Sequence, residues 1–375
     1  MTSSIQLGRI LGIRIGVNWS WLVVVALIVW TLDTAIFPET NPGLADGTYL
    51  AMAIAAAVLF FASLLLHELG HAFQARREGI EIEGITLWLF GGVAKFKGAF
   101  PSAGAEFRIA IAGPIVSLVL GLLFSLGAWA VSTAEAVDGV AAWLGYINLT
   151  LLVFNLLPAL PLDGGRVLRA VLWQVRGDFR SATHLAARVG RGFGYLFIVV
   201  GVAMFIFEGA FSGAWLAFIG WFLLGAATAE DNYVMVSEAL GDLRVRDLMI
   251  RDPVTVPADM SIGQFMDEVA WNRRYTTYPV VEDGHVAGLL AFRCVSETPR
   301  SEWDRRLARD CMIPIDRVPV LEADETATEA LAELSSSGVN RGLVLDGDRL
   351  AGFVSITDLA RALEIGMPRR RRRAA

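Results

Sequence analysis

Three stretches of this chain hold no lysine or arginine, Ile15 to Ala75, Ile109 to Gly165 and Gly192 to Leu243, and apolar residues dominate each of them. Segments of about 20 apolar residues cross the roughly 30 Å of hydrocarbon in a bilayer. In that solvent every backbone N–H and C=O must be paired inside the segment, which selects helices. We read six spans: Val17–Phe37, Thr48–Ala75, Phe107–Val131, Val140–Leu157, Phe193–Phe207 and Trp215–Ala229. A chain that is 55% hydrophobic and only 19% charged is not an ordinary soluble globule. All 32 Lys and Arg residues fall on one side of this arrangement. By the positive-inside rule both termini and the loop Arg76 to Arg108 are cytoplasmic, while Pro38 to Gly47 and Ser132 to Gly139 face out. The expected location is a cell membrane, multi-pass, in a bacterium. The first apolar run lacks a small-residue cleavage site, so the first helix is expected to stay.

Inside the second span lies HELGH, His67 to His71. Histidines four apart share a helix face, about 40° from eclipsed, so both imidazoles reach one metal ion. A carboxylate beside the first, Glu68, can hold a water there; H-E-x-x-H is the zinc-peptidase signature, two ligands and a general base. A chance match would sit on a solvated helix. Here the motif follows a run from Tyr49 to Leu66 without a charge, where an ionisable group costs at least about 2.5 kcal/mol unless it serves a site.

A catalytic zinc takes three protein ligands and leaves one position open. Of the other candidates, His184 lies in a basic helical stretch and His285 in the turn EDGH, whereas Asp163 follows a span returning to the side on which the second span ends. Asp163 is therefore the better third ligand, although it also suits the N-cap of a helix starting at Gly164 and can hold both roles. Between spans two and three, Gly91-Gly92 separates two β-prone runs and reads as a hairpin over Gly79 to Gly98. Met1 to Gly16 and the arginine-rich stretch Val167 to Arg191 are expected to lie along the membrane surface.

From Gly241 the composition turns soluble and a repeat appears. VRDLMIRDPVTV from Val245 aligns with ARDCMIPIDRVPV from Ala308, and Gly288 with Gly352, each copy reading strand, helix, strand, strand, helix. Four segments follow: a membrane domain over 1–240, repeats over 241–305 and 306–366, and a basic tail over 367–375 suited to anionic headgroups. Ser355, Thr357 and Asp358 stand before the last helix, where on spacing alone a helix cap is the simpler role. The only cysteines, Cys294 and Cys311, suggest no disulfide framework. Nothing in the charge of −6 points to nucleic acid.

HELGH, the Gly-Gly hairpin, AGPIVS in span three and NLLPALPLDGG after span four together resemble the site-2 protease family of intramembrane zinc metalloproteases. The C-terminal repeat resembles a tandem pair of cystathionine β-synthase (CBS) domains. The implied fold is a polytopic α-helical membrane protein, six transmembrane helices with a membrane-associated β-hairpin, followed by an α/β CBS pair. The resemblance implies one Zn2+ per chain on His67, His71 and Asp163, with Glu68 as base and Asn155 near the site as a partner of the substrate carbonyl. It further implies intramembrane proteolysis of single-span substrate proteins in the lipid bilayer, such as release of a membrane-tethered regulator. An edge at Gly91 and Gly92 would pair the unwound substrate. In the CBS pair it implies an adenine-nucleotide site at Ser355, Thr357 and Asp358, a regulatory role, and a homodimer. Ala291, Arg293 and Cys294 replace these three in the first copy, which leaves at most one competent site. The alternative reading, a zinc-dependent transporter or metal sensor gated by the CBS pair, requires ionisable residues along several spans. Span three holds only Arg108, at its start, and spans five and six hold none, Glu208 lying just beyond span five.

Overall fold

The computed structural model describes residues 5–371 except 89–90, 98–99, 131–134, 242, 274 and 348. Its contacts divide into a unit ending at Val234 and another running from Met235. Among the described residues six helices are long and apolar enough to cross a membrane.

The first unit opens with strands, in the stretch that the sequence places along the membrane surface. β1 (Ile5–Ile10) and β2 (Ile13–Val17) form a hairpin whose turn holds Leu11 and Gly12 at φ 52° and 83°. Ile13, Ile15 and Val17 alternate inward, and β2 pairs in parallel with β3 (Glu81–Trp88), which pairs antiparallel with β4 (Gly91–Lys97). The expected hairpin is thus half of a four-stranded sheet in the order β1-β2-β3-β4. Gly91 and Gly92 are the first residues of β4, opposite Trp88 and Leu87; residues 89–90 lie outside the described residues.

Asn18 caps the first span by accepting from the Ser20 N–H at 3.0 Å. That span is α1 (Trp19–Thr31), a π-helical turn at Leu32–Ile36 and the short α2 (Phe37–Thr40). α3 (Asp46–Arg77) runs 32 residues without proline and stops where Gly79 takes φ 82°. Next come α4 (Ala103–Ala130) and α5 (Glu135–Asn155). The expected surface stretch Val167 to Arg191 is broken at Gly177, φ 72°, with Asp178 capping the next helix through the Ser181 N–H. It becomes α6 (Asp163–Arg176) and the first turns of α7 (Phe179–Glu208), which continues as span five. α8 (Phe211–Leu240) is likewise one helix, 30 residues long.

In the second unit each repeat builds a four-stranded sheet. The first contains β6 (Val256–Pro257), β7 (Thr277–Glu282), β8 (His285–Ala291) and β9 (Met312–Pro314); the other contains β10 (Val320–Leu321), β11 (Arg341–Asp346), β12 (Arg349–Ser355) and, as its last strand, β5 (Ile250–Arg251). The repeats are not self-contained as the sequence suggested. β5, from the motif beginning at Val245, pairs with β12, and β9, from the motif beginning at Ala308, pairs with β8. The aligned glycines explain the fit. A Cβ on Gly288 would lie 2.2 Å from the Ile313 oxygen, and one on Gly352 would lie 2.6 Å from Met249 Sδ. Val286, Leu289, Val318, Leu343 and Phe353 join the repeats in one core.

Candidate metal centre

His67 and His71 lie one turn apart on α3, 4% and 5% exposed. Their Nε2 atoms approach to 3.2 Å. Asp163, the first residue of α6, places Oδ2 at 3.1 Å from the His67 nitrogen and 3.3 Å from that of His71. Among the described residues this is the group of three whose ligand atoms could hold one metal ion.

The ring orientations come from α4. His71 Nδ1 lies 2.7 Å from the carbonyl oxygen of Ile109, and a carbonyl only accepts, so the proton is on Nδ1 and Nε2 carries a lone pair. His67 Nδ1 lies 2.8 Å from Ser117 Oγ; with Nδ1–H donating there, the second Nε2 lone pair also faces Asp163. Three acceptor atoms that converge in this way repel unless a cation lies between them. Tetrahedral zinc with ligands at about 2.0–2.1 Å sets those ligands about 3.3 Å apart. The residues fit that ion.

Glycine makes the centre possible twice. A Cβ on Gly113 would lie 2.2 Å from His71 Nε2 and 2.6 Å from His67 Nε2, so α4 can approach the imidazoles only where it has no side chain. A Cβ on Gly92 would lie 2.3 Å from Glu68 Cγ, which sets the opening residues of β4 directly against Glu68. Ile109, Gly113 and Ser117 recur every four residues on the face of α4 turned to His71 and His67. That i, i+4, i+8 spacing was readable in the sequence, but nothing in it tied these residues to the histidines.

The other anticipated residues fall elsewhere. Asp163 makes no cap hydrogen bond; the N-cap position of α6 is Leu162 and has no side-chain cap. Asn155 ends α5, partly buried, and forms no side-chain hydrogen bond among the described residues. Gly91, at φ 123°, precedes Gly92 in β4. His184 pairs with Asp231 of α8 at 3.1 Å, and His285 is exposed in β8. Ser355 and Asp358 bond each other: Ser355 N–H and Oγ–H both donate to Asp358 Oδ2, at 3.0 and 2.6 Å. Thr357 is exposed. In the first repeat Arg293 pairs outward with Glu297 at 2.8 Å, and burial pushes the Cys294 thiol up to about 11.

Residues 55–137 and 130–199 match the family model of Peptidase family M50, and residues 245–295 and 308–365 each match that of the CBS domain. Rip3 of Mycobacterium tuberculosis, named as a zinc metalloprotease, is 39% identical over 372 residues, covering 97% of this chain and 94% of Rip3. The chain belongs to peptidase family M50. The zinc metalloprotease MJ0392 of Methanocaldococcus jannaschii is 31% identical over 366 residues, covering 97% of each chain. A solved site-2 protease from Methanocaldococcus jannaschii is 27% identical, with a TM-score of 0.43, and covers 61% of this chain and 95% of that one. This M50 chain is a multi-pass membrane zinc metalloprotease with a C-terminal CBS pair.

Proposed function

We propose that this protease cleaves membrane-anchored, single-span proteins within or beside their transmembrane segment, with His67, His71 and Asp163 holding one zinc and Glu68 acting as general base. The observation that carries this reading is the convergence of the three acceptor atoms at 3.1–3.3 Å beside Glu68. A bound zinc supplies a Lewis acid that acidifies water and polarises a carbonyl. Glu68 takes the water's proton on its carboxylate and returns it to the departing amine, a transfer that typically contributes about 10² to 10⁴ in rate. β4 ends the sheet order beside Glu68. Its outer edge is suited to pair with an unwound substrate segment, as in β-augmentation, and the Asn155 amide is free to donate to a substrate carbonyl. Incubating a panel of single-span proteins with wild type and Glu68→Gln tests this: cleavage by wild type alone is expected, and equal cleavage by both refutes the assignment of the base.

The one-sided basic residues support cytoplasmic termini in a bacterial cell membrane. A cysteine introduced at Thr40 then reacts with an impermeant maleimide in intact cells and one at Ser102 does not. Ser355, Thr357 and Asp358 are the candidate contacts of one adenine nucleotide, whose binding would bias proteolysis, and the CBS pair is the candidate dimer interface. One nucleotide per chain by calorimetry is expected; no binding at millimolar concentration would leave the pair a docking or dimerisation module.

A further inference from the structure

Asp163 opens α6, so the third acceptor atom is placed only as well as that helix is placed. At its start α6 is pinned by the absence of side chains: a Cβ on Gly164 would lie 2.3 Å from the Leu156 oxygen, and one on Gly165 2.2 Å from the Leu160 nitrogen. These contacts fix how closely the helix approaches its neighbours, but they do not fix its rotation. Six residues further on, Arg169 is 2% exposed, the largest of the fully buried side chains. Its guanidinium meets Glu106 Oε1 of α4 at 2.6 Å and Glu230 Oε1 of α8 at 2.7 Å, and lies 5.0 Å from the ring centroid of Phe179. Glu106 is 1% exposed and its second oxygen, Oε2, has no hydrogen-bond partner, so Arg169 holds that carboxylate alone. A planar guanidinium clamped between two carboxylates under an aromatic ring allows little rotation or sliding.

We propose that Arg169 is a positioning residue for the metal centre, and that through Glu230 it makes the placement of Asp163 depend on α8. The proposal rests on Asp163 being a ligand. Glu230 lies on α8, within the first unit of the chain. A shift of α8 along its axis therefore pulls on Arg169 and reaches Asp163 through less than two turns of α6. This route acts on the metal itself and needs no lid.

The test is zinc affinity of the full chain in detergent, by competition with a chromogenic chelator, beside the melting temperature of the metal-free protein. Replacing a group that orients a ligand typically costs about 10- to 100-fold in metal affinity, the loss expected for Arg169→Met. Arg169→Lys keeps the charge but not the fork and is expected between Met and wild type. Glu230→Gln removes one carboxylate at a side chain that is 32% exposed; it serves if Arg169→Met does not fold, and is expected to weaken zinc about 10-fold with an unchanged metal-free melting temperature. Affinities within about twofold of wild type for all three, while Asp163→Ala loses zinc, overturn the positioning role and leave the ligand assignment standing. Full zinc retention by Asp163→Ala overturns the ligand assignment itself.

Discussion

His67, His71 and Asp163 point three acceptor atoms at one another across 3.1–3.3 Å, whereas Ser355 and Asp358, polar residues just before a helix, turn theirs on each other. In the first group each imidazole already uses its Nδ1 on α4, so what remains is lone pairs with no donor to meet. In the second, two donors and one carboxylate oxygen close a helix cap, and nothing in the geometry demands a ligand. The difference separates a motif whose chemistry is unfinished from one whose chemistry is complete.

The comparison can be broken most forcefully at Gly113. Gly113→Ala puts a methyl against both imidazoles; we expect zinc affinity to fall by about 100-fold, measured by chelator competition, and proteolysis with it. An unchanged affinity would mean that α4 does not set the ligand geometry. Gly92→Ala sharpens the distinction between ligands and base, because the new methyl meets Glu68 and neither imidazole. It should retain zinc while kcat falls about 10- to 100-fold, within the range a general base supplies. At the other pole, Asp358→Ala removes the partner of the Ser355 hydroxyl and should cost the CBS pair about 0.5–2 kcal/mol in chemical denaturation, as lost caps do. If it abolishes nucleotide binding with no change in stability, the pair is a ligand site first and a cap second. The smallest effect concerns Cys294. With its thiol near 11, thiolate is scarce at pH 8 and alkylation should run about 100-fold slower than at an ordinary thiol, rising with pH.

The spans were legible because a bilayer permits so few solutions: apolar runs almost free of lysine and arginine leave helices, and six such helices are present among the described residues. The N-terminal strands were not, because their turn is Leu11-Gly12 with a leucine at positive φ, a pairing that carries none of the usual Asn-Gly or Asp-Gly signal. The end of α6 was written in Gly177-Asp178, a glycine terminator followed by a cap, but the arginines on both sides of it read as one amphipathic stretch. The 64-residue repeat located both CBS copies. It could not say that β5 and β9 each complete the other copy's sheet, since two- and three-residue strands have the same pattern in either pairing. Around the metal centre, side chains of distinctive chemistry drew notice and the rest did not: Ile109 acts through a carbonyl, Gly113 through a missing Cβ, and Arg169 through partners 61 and 63 residues away.

The central claim is a division of labour between three residues that hold zinc and a fourth that holds a proton. It is tested most directly by measuring zinc per chain and substrate cleavage on the same preparations of wild type, Glu68→Gln, His71→Ala and Asp163→Ala. We predict one zinc in wild type and in Glu68→Gln, cleavage by wild type alone, and loss of both zinc and cleavage in the other two. Full zinc and cleavage in Asp163→Ala, or loss of zinc in Glu68→Gln, would contradict it.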